Sequence, residues 1–188
     1  MNDKGPTIRR AFLGLRRFFE DVAILLQTAE MEMGKAGWST LKSDTACTGS
    51  KRVDSPKYWM PHFAFRTFTK ESAPTILAYV TTLFVSPEAD DTLDEPLVIA
   101  GGIEYKGPAT WEGLSLWRHL YLHPYLPDAE CEGQFQETRD QKLLHQDDVI
   151  VLFSMASPLV RITDATSLND CVIEPLKREL QTRICGTA

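Results

Sequence analysis

The chain has 188 residues, 43% of them apolar and 24% charged, with a formal net charge of −6. That length buries one core of ordinary size without staples, and the balance excludes a disordered tail or a membrane-embedded chain. An acidic total also argues against a surface given over to phosphate backbone, although a local basic patch could still bind one.

No apolar run approaches the roughly 18–20 residues needed to cross a bilayer. The four cysteines, Cys47, Cys131, Cys171 and Cys185, are widely spaced, form no C-x-x-C pair and follow no apolar leader. The expected setting is therefore a reduced, cytoplasmic one with no membrane partner. Charge is segregated along the chain. The first 17 residues carry Lys4, Arg9, Arg10, Arg16 and Arg17 against Asp3 alone, whereas 86–96 and 127–140 are strongly acidic.

In chain order, the first predicted element is a helix from about Thr7 to Lys35. Ile8, Phe12, Leu15, Phe19, Val22, Leu26, Ala29 and Met33 recur at alternating spacings of four and three, a continuous apolar stripe. Pro6 suits the helix entry, and Gly34 and Gly37 its exit. The spacing permits a coiled coil, but Phe18, Ile24 and Leu25 widen the stripe, so the expectation is a helix lying across a sheet. Residues 38–56 are polar and aperiodic and read as a mobile loop.

Three strands follow. The first runs from about Lys57 to Lys70, with Pro61 demoting its start to an edge or bulge. The second runs from Thr75 to Val85 and the third from Leu97 to Lys106, joined by an acidic loop as an antiparallel hairpin. Gly101-Gly102 inside the third strand marks a bulge or a close backbone approach. Residues 111–122 have helical spacing, ended by Pro124 and Pro127. A short edge strand is expected around Gln134 to Thr138, and Val149 to Met155 reads as a central strand buried on both faces. The chain closes on a helix from about Ser167 to Ile184 that Pro175 should kink or restart. The order α-β-β-β-α-β-α predicts a single α+β domain: a mainly antiparallel sheet of four to five strands under a long N-terminal and a C-terminal helix.

Four constellations could carry chemistry. Glu104-Tyr105-Lys106 closes the third strand, downstream of a loop holding Asp90, Asp91 and Asp94. Two carboxylates can hold a divalent metal that activates water, while a lysine stabilises the charge developing on phosphate. The strand order and the acid-x-Lys pattern resemble the restriction-endonuclease-like nuclease superfamily. The resemblance implies Glu104, Lys106 and an aspartate such as Asp94 as catalytic residues, with nucleic acid as substrate. It departs from that family at the second strand, where Pro74 is followed by Thr75 and not by an acid.

The second constellation is His119 and His123, four apart and so on one helix face, a spacing that can put two imidazoles on one metal. No glutamate follows the first histidine, and partly buried histidines beside an aromatic at a helix end are the preferred explanation of the pair. Third, Trp117, Tyr121 and Tyr125 at four-residue spacing build an aromatic face that could stack on a base, cage a cation or anchor an interface, with core packing the commoner use. Fourth, Arg9, Arg10, Arg16 and Arg17 form a ridge, partly neutralised by Glu20 and Asp21 four residues on. Arg9 and Arg10 stay free to meet anionic lipid, nucleic acid or an acidic partner, and a simple solvated face is the preferred explanation of the ridge.

No strong catalytic motif is present, and there is no G-x-S-x-G, G-x-x-x-x-G-K or G-x-G-x-x-G. The expected role is a binding or accessory protein acting through a protein partner or its own copy, at Arg9, Arg10, Trp117 and Tyr121, with no cofactor. The alternatives are a metal-dependent nuclease, the one reading that calls for a divalent metal and nucleic acid, and a small-ligand or metal sensor at His119 and His123.

Overall fold

The computed structural model describes residues 4–41, 46–48, 61–84, 95–109, 133–139 and 148–186. Helix α1 spans Gly5–Lys35, 31 residues with Pro6 in its first turn. It ends as the glycines predicted. Gly37 takes φ of +79°, its amide donates to Gly34 and the Trp38 amide donates to Met33, so orphan carbonyls are satisfied by a left-handed turn. The Lys70 ammonium donates to the Ala36 carbonyl at 2.9 Å and fixes this end to the sheet.

The sheet is antiparallel throughout and has seven strands among the described residues: β1 Ser39–Thr40, β2 Ala46–Thr48, β3 Pro61–Lys70, β4 Ala73–Leu83, β5 Leu97–Tyr105, β6 Gln136–Thr138 and β7 Val149–Pro158. Their order is β1-β3-β4-β5-β7-β6, with β2 also paired to β3. The architecture is the α+β class that the pattern of elements predicts, with more strands than expected. The additions are short: β1 and β2 fall in the stretch read as a loop and lie on the edge of β3. The helix expected over 111–122 lies outside the described residues.

Alternation divides the sheet into two faces. Ala64, Phe68, Ile76, Ala78, Val80, Val98, Ala100, Phe153 and Met155 turn to the helices and form one core with Val22, Leu26, Ala29 and Met33 of α1. Phe63, Phe65, Leu77, Tyr79, Ile99, Ile103 and Leu152 form a second core on the opposite face. The glycine pair marks a close approach. A Cβ on Gly101 would stand 2.2 Å from the Phe153 carbonyl oxygen, and one on Gly102 would stand 2.5 Å from the Phe153 ring. The ring covers the gap that a side chain would fill.

After β7 the chain makes a 3-10 turn at Leu159–Arg161 and then a helix in two pieces, α2 Ala165–Leu168 and α3 Glu174–Gly186. The pieces are joined by a π turn, Asn169–Ile173, closed by the Glu174 amide on the Asn169 carbonyl. Pro175 follows directly, so the position lacking an amide donor falls where the helix has already changed its bonding register. Asp164 caps α2: its carboxylate accepts from the Ser167 amide at 2.8 Å, and that bond holds its pKa below the usual carboxylate value. At the other end, the Arg183 guanidinium stacks 3.8 Å from the centre of the Phe153 ring and pairs with Glu137 of β6 and Glu179. This contact ties α3 to the sheet edge.

Candidate functional site

The stripe on α1 is continuous in sequence but not in burial. Val22, Leu26, Ala29 and Met33 are buried, whereas Phe18 and Phe19 are half-buried and meet Phe84 edge to face with ring centres 5.3–5.5 Å apart. Support from the sheet ends at that ring cluster. From Gly5 to Arg17 every residue is exposed except half-buried Leu15, with Ile8 at 55% and Phe12 at 68% of full exposure. The expectation of a stripe buried along its whole length against the sheet is thus corrected for its first half. The physical cause is length: 31 residues at 1.5 Å each reach about 46 Å, more than the sheet beneath supports.

Charges decorate this projecting half. Arg16 pairs with Glu20 at 2.9 Å as the spacing predicted. The expected Arg17 to Asp21 pair does not form, and Arg9, Arg17 and Asp21 make no ion pair among the described residues. Arg10 makes only a long bond to the Pro6 carbonyl, 3.4 Å. The projecting half thus combines exposed apolar side chains with cations that make no ion pair among the described residues.

Beside the supported half lies a groove of about 540 Å³ between α1 and the segment from β7 into α2. Phe18, Val22 and Leu25 form one wall, and Leu159, Ile162 and Leu168 the other. Ile24 and Val160 stand on its margin, 61% and 68% exposed. Asp21 and Asp164 supply two carboxylates along it. Sequence reading missed the second wall. Its only local signal is the short apolar run Leu159-Val160-Arg161-Ile162 ahead of the Asp164 to Ser167 cap.

The nuclease candidates are placed in part. Glu104 is half-buried on the helix side of β5, across from Ile76 and Val151. The Lys106 amide donates to the Asp148 carbonyl. Thr75 lies one residue before Ile76, the partner of Glu104, so alternation turns its hydroxyl to the sheet face opposite Glu104 and no acid stands at that position. Among the described residues no three His, Cys, Asp or Glu side chains gather as a metal site. Asp94, Trp117, His119, Tyr121 and His123 lie outside the described residues.

A polar row crosses the second face, where Thr67 pairs with Tyr79, Tyr79 with Gly101 and Gly101 with Ser154. Among the described residues, the Thr67, Tyr79 and Tyr105 hydroxyls are buried without hydrogen-bond partners. Burial pushes the Tyr79 phenol far up, opposed weakly by nearby Ser154, whose hydroxyl makes no well-formed bond to it. Burial first, and then the Asp148 carboxylate, push Tyr105 to about 12.

No protein-family model, curated protein or solved structure matches this chain. No helix among the described residues is long and apolar enough to cross a membrane.

Proposed function

We propose that this chain is a binding protein that works by self-association, and that the projecting half of α1 is its contact surface. The supporting observation is the exposure of Ile8 and Phe12 on the same stripe whose second half is core. An isolated helix of about four turns is marginal in water, and one that leaves a phenylalanine wet is less stable still. The partner we propose is a second copy, because a two-fold contact covers the exposed half-stripe of both chains at once.

Sedimentation equilibrium tests this directly. The unaltered protein should be dimeric at micromolar concentration, and Phe12→Glu should weaken the association at least tenfold while leaving the monomer's melting temperature in place. A monomer at every concentration would end the proposal. The competing proposal, a metal-dependent nuclease, rests on Glu104-Tyr105-Lys106 and needs an acid that Thr75 does not supply.

A further inference from the structure

We infer that the groove between α1 and the Leu159–Leu168 segment receives the first turns of α1 from a second copy, so that two chains interlock. The inference rests on the self-association proposed above and assigns that contact its seat.

Three observations lead to it. The first is continuity: Phe18 and Leu25, which wall the groove, extend toward the helix start through Gly14 and Ala11 at spacings of seven, four and three. These four residues share one side of α1, displaced from the main stripe. A Cβ on Gly14 would meet nothing within 4 Å, so the line is open along the projecting half and small at its centre. A second α1 can therefore approach closely along it.

The second is orientation. The buried half of the main stripe faces the protein's own sheet. A two-fold axis perpendicular to that sheet would set the two α1 helices antiparallel along the Ala11, Gly14, Phe18 and Leu25 line. The same operation keeps each stripe pointing toward the sheets, so Ile8 and Phe12 of one chain come down on the groove of the other. The third is charge. Asp21 and Asp164 border the groove, while the incoming turns carry Lys4, Arg9 and Arg10. Opposite charges favour that seating over one that brings the two basic helix starts together.

Site-directed cross-linking tests the seat. With Cys47, Cys131, Cys171 and Cys185 changed to Ser, a Phe12→Cys chain is mixed with a Val160→Cys chain and treated with a short bismaleimide. The 12-to-160 product should dominate, and the 12-to-12 product should be scarce, since those positions stand about ten residues or ~15 Å apart in the antiparallel pair. A dimer that cross-links 12 to 12 and not 12 to 160 overturns the groove seat and leaves self-association standing. An unaltered protein that stays monomeric throughout overturns both.

Should the cysteine-free background fail to fold, the same contact is read by charge in the native-cysteine protein. Val160→Glu should weaken the dimer at least tenfold by sedimentation, and Phe12→Lys added to it should recover part of that loss. A Val160→Glu protein that dimerises as the parent does overturns the seat.

Discussion

Tyr79 and Tyr105 each bury a phenol with no well-formed hydrogen bond among the described residues, and the consequence is testable at high pH. An unfolded tyrosine loses its proton near pH 10, whereas Tyr105 in the fold holds its proton to about 12 and Tyr79 beyond that. The folded state thus binds more protons than the unfolded one above pH 10. Stability from these groups is complete below pH 10 and falls as pH rises toward 12, by on the order of 1.4 kcal/mol per pH unit for each tyrosine. Urea denaturation between pH 9 and 11.5 should show that slope, and Tyr105→Phe should reduce it. At neutral pH the same substitution should be neutral or stabilising, because it removes an unsatisfied buried hydroxyl. Glu104 offers a second test at this scale. Under the binding proposal, DNA and RNA incubated with magnesium or manganese stay as intact with the unaltered protein as with Glu104→Ala, and cleavage lost in that variant would favour the nuclease.

At the scale of elements, α1 is two helices in energetic terms. Leu26→Ala empties a site that is 2% exposed and should cost about 2–5 kcal/mol, measured by chemical denaturation. Phe12→Ala, under dilute monomeric conditions, should stay within about 0.5 kcal/mol of the parent. The sequence cannot draw that boundary, because its four-three spacing is identical on both sides of Phe19. What ends the burial is the extent of the sheet below, set by pairings between strands distant in the chain. Features written in local chemistry were legible: the exit at Gly37, the break at Pro175 and the close approach at Gly101-Gly102. The lack of an acid four residues beyond Arg9 and Arg10 was legible from spacing alone, and the proposed contact builds on it. The groove was not, since Phe18 and Leu25 meet Leu159 and Leu168 across more than a hundred residues of chain.

For the whole molecule, the self-association proposed above would couple stability to concentration and salt. Only folded chains can interlock, so dimerisation adds to the unfolding free energy by mass action, and the melting temperature should rise as protein concentration rises. Phe12→Glu should flatten that dependence. Salt acts on a different part of the contact. Arg9 and Arg10 against Asp21 and Asp164 are exposed charges, and their attraction is screened over about 8 Å at physiological ionic strength. Apolar burial at Ile8 and Phe12 is not screened. Raising sodium chloride from about 0.02 M to 0.5 M should therefore weaken the dimer only a few-fold, chiefly by slowing association. Arg9→Glu with Arg10→Glu should reverse the sign, turning attraction to the groove carboxylates into repulsion, so that added salt strengthens the variant's dimer. Light scattering across the salt series reads both slopes. A parent dimer that dissolves completely in high salt would show that charge, and not the exposed apolar stripe, holds the two chains together.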